Sequence, residues 1–370
     1  MKRFLLYLLA LTPLSALAQL NGSGFYRVKN ENTKRFITIV DNRAYRVGNT
    51  GVDLKAIYLQ HEDDFTEKIA SNPASICYID VVNGSQLDLT GQGLKLSNYG
   101  YLLNYIQRDA GYRLYGAYAG VSLYLIDTGR GTSPGTQQGD GQGNRNWLFL
   151  PVDQSDNQYF GVKPDITASA DGSYWATMYA GFPFAPSAAD TKVYTVKSVK
   201  NGYAIIKEIT VDVPAQTPVL FRCGAANASG NKLTLKSAST DNSVGTNYLV
   251  GNYYCNNVTD TDSEKPHRNV TNYNSSTMRM LGTTSDGKPA FVKSNISYVP
   301  ANKCYLAVSS SAPDVLKIVT EAEYDELAGI EELSFSGVDA PKKIYDLQGR
   351  RVTAPSKGLY IVNGKKVVIK

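Results

Sequence analysis

Short runs in which apolar and polar residues alternate, each soon closed by Gly, Asn, Asp or Pro, recur along almost the whole chain. Gly24-Phe-Tyr-Arg-Val-Lys is one such run, Asn30 to Lys34 a turn, and Arg35-Phe-Ile-Thr-Ile-Val the next run. A period of two puts alternate side chains on opposite faces of a pleated strand, and turn residues at such short intervals leave no length for helices. The 26 Tyr and 32 Gly push the same way, towards strands and turns. The chain is therefore expected to be all-β. Two stretches depart from the pattern: a short helix is expected before Asn72-Pro73, and Glu321-Ala-Glu-Tyr-Asp-Glu-Leu-Ala is predicted to be the best helix, acidic in its early turns and stopped by Gly329.

The N-terminus opens with Lys2-Arg3, an apolar run from Phe4 to Leu11, and Ala16-Leu17-Ala18. A positive start, a short apolar run and small residues flanking a cleavage point make residues 1–18 a signal peptide, cut before Gln19. The run is too short to span a bilayer, and no later stretch approaches the length that spanning needs. The mature chain is thus expected outside the cytoplasm, with no membrane span.

Residues 19–153 contain three hairpins. The first is 24–41, the second joins Ile76-Cys-Tyr-Ile-Asp-Val-Val to Gln86-Leu-Asp-Leu-Thr, and the third joins Tyr112-Arg-Leu-Tyr to Val121-Ser-Leu-Tyr-Leu-Ile. With Asn146-Trp147-Leu-Phe-Leu-Pro-Val behind them they suggest a β-trefoil-like domain. The opening Gly-Phe-Tyr-Arg-Val-Lys-Asn and the closing Trp-Leu-Phe-Leu-Pro-Val resemble the first and last strands of ricin-type trefoils, without the Gln-x-Trp signature of the sugar-binding ones. Tyrosines crowd this region, and Tyr suits both sugar rings and protein interfaces. The candidate binding residues are Tyr99, Tyr101, Tyr105, Tyr115, Tyr118 and Trp147, set against the alternative that strand alternation buries half the aromatics.

Residues 154–319 read as many short strands, including Ser173 to Tyr179, Lys192 to Val196, Tyr203 to Ile209, Pro218 to Arg222, Lys232 to Leu235, Tyr248 to Gly251, Met278 to Gly282, Ala290 to Lys293 and Cys304 to Val308. That is the pattern of a sandwich or jelly roll. Val213-Pro-Ala-Gln-Thr-Pro-Val-Leu is echoed by Val299-Pro-Ala-Asn-Lys-Cys-Tyr-Leu. The region resembles a β-sandwich module of secreted and surface proteins of Bacteroides and Prevotella, through these two phrases, Trp175-Ala-Thr, Val193 to Val196, Leu281-Gly282 and Pro289-Ala-Phe. The resemblance implies a fold and no activity.

The formal charge of +5 is unevenly spread: residues 2 and 3 carry +2 and residues 341–370 carry +7, which leaves −4 for everything else. A mildly acidic body gives no ground for nucleic-acid binding. His61 lies beside Glu62, Asp63 and Asp64, and His267 follows Asp260, Asp262 and Glu264. The latter spacing fits the first half of a calcium loop, but Lys265 stands where Gly is needed and Thr271 where the bidentate Glu belongs. The glycine-rich stretch 129–143 has no Gly-Lys-Ser/Thr and reads as an exposed loop. No metal or cofactor is expected. Cys77, Cys223, Cys255 and Cys304 are either buried small apolar residues or include one bridge within 223–304. Neither His sits near a nucleophile signature, so the chain is expected not to be an enzyme, although paired carboxylates for sugar cleavage leave no local signature.

At the C-terminus, Ile344-Tyr-Asp-Leu, the turn Gln348-Gly349, Arg350-Arg-Val, then Gly358-Leu-Tyr-Ile-Val, Asn363-Gly364 and Lys365-Lys-Val-Val-Ile-Lys read as very short strands. The segment 336–370 resembles the C-terminal sorting domain of proteins exported by the Bacteroidetes type IX system, through Tyr345, Asp346, Gly349, Arg350, Gly358, Tyr360, Gly364, Lys365 and Lys366. The resemblance implies that this segment engages the secretion machinery and that the protein is secreted or held on the outer surface, residues 320–335 being a helical linker. The alternative is a strand pair capping the sandwich. The function expected is non-enzymatic binding or adhesion, towards a glycan or a surface protein, with a protein-interaction scaffold and a polysaccharide hydrolase as the alternatives.

Overall fold

The computed structural model describes residues 20–46, 53–60, 65–82, 86–91, 102–108, 111–118, 121–127, 129, 135–139, 144–236, 240, 242–255, 270–328, 330–332, 344–362 and 365–369. The chain is predominantly β, with 47% strand and 7% helix, so the all-β class holds. The expected signal peptide, both histidines and the acidic stretch 260–264 lie outside the described residues.

In the first region six strands close on themselves. Gly24–Asn30 pairs with Cys77–Val82 on one side and Asn146–Pro151 on the other. The circuit runs on from Cys77–Val82 through Gln86–Gly91, Leu102–Arg108 and Gly111–Tyr118 back to Asn146–Pro151, antiparallel throughout. Closure pairs both sides of every strand in the circuit. Two hairpins stand off this ring, Phe36–Arg46 with Asp53–Gln60, and Val121–Ile126 with Gly135–Gln138. The three expected hairpins therefore exist but play unequal parts: the second lies wholly within the ring, whereas the first and third leave it. Alternation fills the interior, since Tyr26, Val28, Ile79, Leu114, Trp147 and Phe149 all point into one core.

The second region is built on a ten-stranded sheet and a three-stranded one. Tyr174–Met178, Val219–Cys223 and Lys192–Lys200 are neighbours in the larger sheet. Alternation here serves two cores at once. Ala176, Val193 and Phe221 pack with the smaller sheet, against Phe160, Phe184 and Leu233. Trp175, Tyr194 and Leu220 face the other way, into a core with Leu249, Phe291, Leu306 and Leu316. Most expected strands are present. Val315–Thr320 is an addition that runs parallel to Tyr203–Glu208 and antiparallel to Pro289–Val292. The echoed phrases take one conformation twice. Val213 and Val299 are buried, and Gln216 (φ 61°) and Asn302 (φ 58°) both turn in the left-handed region. The two turns meet on one strand end, where Gln216 N donates to Ala180 O and Tyr179 N donates to Asn302 O, each over 2.9 Å.

Both regions are joined through the outer face of Gly24–Asn30. Phe25 packs edge-on to Phe182, with ring centres 5.8 Å apart. Arg27 is fully buried. Its guanidinium donates to Ser75 Oγ (3.1 Å), Gln158 O (2.9 Å) and Ala70 O (3.5 Å) and lies over the Phe65 ring. Glu67 accepts from Ala228 N at 2.8 Å and pairs with Lys163 at 3.0 Å.

Glu321–Ala328 is the expected helix. Its start carries a reciprocal cap: Glu323 N donates to Thr320 Oγ1, and Thr320 N donates to the Glu323 carboxylate. Tyr324 docks the helix on the preceding hairpin, edge-on to Tyr203 and accepting from Asn201 Nδ2 at 2.8 Å. Beyond it, five strands form a separate sheet in the order Ile330–Glu332, Lys365–Ile369, Gly358–Val362, Ile344–Tyr345, Arg351–Val352. Residues 330–332 are thus strand, where the sequence suggested a continuing helical linker, because Ile330–Glu332 pairs parallel with Lys366 to Val368.

Candidate functional site

Among the described residues, the aromatic residues singled out in the first region share no patch. Tyr99, Tyr101 and the side chain of Tyr118 lie outside the described residues. Tyr105 is half-buried against the ring core, edge-on to Tyr112. Tyr115 is half-buried beside Tyr124, ring centres 5.3 Å apart. Trp147 has no exposed surface, and its indole N–H donates to Leu125 O at 3.1 Å. That corrects the expectation for Trp147: it faces inward on a ring strand and closes the core, so no ligand reaches it.

In the C-terminal segment Asp346, Gly349 and Arg350 build one turn. The Asp346 carboxylate accepts from Gln348 N (3.0 Å), Arg350 N (2.8 Å) and Arg350 Nε (2.7 Å). These bonds hold its proton affinity below the usual carboxylate range, the Arg350 amide contributing most. Gly349 sits at φ +79°, which a side chain resists. Asp-x-x-Gly-Arg is thus the residue set that this turn needs. Tyr360 joins Ile344, Val352, Val362 and Val367 in a small core beneath the turn. Tyr345 and Gly358 are half-buried on paired strands, and Lys366 is exposed. Gly364 and the side chain of Lys365 lie outside the described residues.

Two cavities among the described residues bear on a site. One, of about 390 Å³, lies between the two regions and is edged by Lys68, Asn72, Lys163, Asp165 and Lys303. Its charges are already matched: Lys303 pairs with Asp165 at 2.5 Å and Lys163 with Glu67 at 3.0 Å.

The larger cavity, of about 590 Å³, lies between the large sheet and the helix Glu321–Ala328. Strand register builds its floor. Trp175 is directly opposite Arg222, and Tyr194 opposite Leu220 one step along, so the three side chains share a face. Arg222 leans over the Trp175 ring, whose N–H is held by Ser173 Oγ at 2.7 Å. Ile206 and Ile318 complete the apolar floor. The turn at Asp171, the loop at Lys288, and Glu323, Glu326 and Leu327 of the helix form the walls. Tyr194 is only 6% exposed. Burial pushes that phenol up, with the Glu208 charge adding to it and Arg222 opposing. The Asp171 carboxylate is held below its usual range, chiefly by Ser173.

The sequence alone does not reveal this site, because its residues come from six separate strands, two turns and a helix. The one local signal was the helix itself, whose acidic face supplies a wall. No family model, curated protein or solved structure matches the chain.

Proposed function

We propose that this chain is an exported, non-enzymatic binding or adhesion protein: a β-trefoil joined to a jelly-roll-like sandwich, with residues 336–370 as the sorting segment for type IX export. The trefoil reading is supported by the closed ring of six strands with hairpins standing off it. The sorting reading is supported by the turn built around Asp346, which accounts physically for Asp346, Gly349 and Arg350. A secreted or outer-surface location follows from the sorting segment together with the signal-peptide pattern.

The observation that carries a binding role is the larger cavity, with its apolar floor and charged walls, the usual make-up of a small-molecule site. Asp171, among its carboxylates, is tuned towards the ionised form, opposite to the raised value a general acid needs. The reading is tested by incubating the full chain with a glycan array and, in parallel, with a polysaccharide panel. Retention without release of reducing ends supports it. Release of reducing ends that disappears on Glu326→Gln overturns it in favour of a hydrolase. For export, deletion of 336–370 is expected to trap the protein in the periplasm, and unchanged surface delivery sinks the sorting assignment.

A further inference from the structure

We infer that the cavity between the large sheet and the helix Glu321–Ala328 takes a neutral, polyhydroxylated ligand, a sugar ring in chemical class. The inference rests on the binding reading above and adds the site and the kind of ligand.

Both signs of charge line the cavity. Arg222 and Lys288 stand against Asp171, Glu323 and Glu326 around one opening. An anion placed there meets three carboxylates, and a cation meets a guanidinium and an ammonium. Like charges a few ångströms apart repel by kilocalories in a partly buried site. A hydroxyl donates to a carboxylate and accepts from a guanidinium, so neighbouring hydroxyls on one ring satisfy both kinds of wall at once. A neutral polyol is therefore the ligand class that the mixed lining favours.

Tyr194 points to the same class independently of charge. The residue is only 6% exposed and lines the cavity floor. A phenol hydroxyl both donates and accepts, so at the edge of a cavity it can pair with a ligand hydroxyl. The shape of the cavity fits as well. The volume of about 590 Å³ lies inside the ~300–1,000 Å³ range of small-molecule sites. The apolar strip formed by Ile206, Ile318 and Leu327 can receive the C–H edge of a sugar ring while its hydroxyls face the charged walls.

The test titrates the full chain by calorimetry with methyl glucoside, galactoside and mannoside, alongside methyl glucuronide as the anionic probe and glucosamine as the cationic one. Amide exchange is followed over 321–328. At least one neutral glycoside is expected to bind and to slow exchange in that helix. Arg222→Ala is expected to weaken binding about tenfold or more, and Tyr194→Phe about fivefold. Tyr194→Phe is expected to leave the thermal midpoint unchanged, so weaker binding in that variant reports the ligand contact and not the fold. Neutral-glycoside binding that both variants leave intact overturns the site while the binding reading stands. Preference for glucuronide or glucosamine overturns the ligand class, as does failure of all three neutral glycosides. Cleavage of an oligosaccharide at this site overturns the non-enzymatic reading instead.

Discussion

The two large regions solve the problem of burial differently. In the closed ring, one face of each strand looks inward and the other outward. Among the described residues, Arg27, Arg35, Arg113, Arg145 and Asp127 are buried in that first region, but of the charged residues only Arg279 is buried in the second. The ring's outer surface is covered by hairpins and by the neighbouring region, and directional bonds fix those covers in place. Arg35 and Asp127 illustrate this, joining the first hairpin turn to the end of Val121–Ile126 through a paired contact (Arg35 Nε to Asp127 Oδ2, 2.7 Å). Arg27 does the same between regions, at the cost of a guanidinium drawn down to about 9 by burial. The larger sheet is apolar on both faces, so alternation alone gives each central strand two cores. Position is set by bonds in one region and by area in the other.

That contrast can be broken from either side. The largest effect is expected at Phe221, which is fully buried on an interior strand of the sheet. Phe221→Ala should cost about 4 kcal/mol by denaturant midpoint, and a loss under about 1 kcal/mol would contradict the two-core account. Next is Asp127→Asn, which leaves Arg35 buried without its counter-charge and should cost about 3 kcal/mol. This pair also sets a pH dependence. Burial acts to raise the Asp127 value, but the bonds from Arg35, Thr33 and Gly129 N outweigh it and hold it below its ordinary 3.8. A depressed carboxylate gives stability that is present above the unfolded value and lost as pH falls through the folded one. The wild type should therefore lose stability below about pH 4 more steeply than Asp127→Asn, and parallel acid limbs would remove the pair from the account.

A smaller effect concerns thiols, which both regions use alike. Cys77, Cys223 and Cys304 are buried and free, their thiols pushed up to about 12 by burial. They act as small apolar side chains. Native protein should label with a thiol reagent at Cys255 first, the other three reacting only on unfolding, and reductant should not move the melting curve. Smallest of all, Asp346→Ala should leave the main transition in place and speed amide exchange at 344–352 alone.

Much of this architecture is local and was legible. Alternation locates nearly every strand of the second region, and Val-Pro-Ala-Gln and Val-Pro-Ala-Asn announce one turn used twice. Thr320-x-x-Glu323 is a readable cap ahead of a helix. Val315–Thr320 alternates too, but it runs straight into that helix with no turn residue to mark its end. What stayed illegible depends on register between distant strands. Trp147 points inward because Gly24–Asn30 and Gly111–Tyr118 flank its strand. Trp175, Tyr194 and Arg222 share a face because three strands far apart in sequence pair in one particular alignment. No spacing along the chain encodes that.

The place of Val315–Thr320 has a mechanical consequence. The strand is the last element before the helix and the C-terminal sheet, and it is clamped between a parallel neighbour and an antiparallel one inside the large sheet. A pull on the C-terminal segment first strips off the helix at Tyr324 and then loads this strand along its own axis. Its ladder bonds on both sides must then shear together, where a strand peeled from an edge would give way one bond at a time. Held by its C-terminal end, the molecule would resist tension at the middle of the second region's ten-stranded sheet.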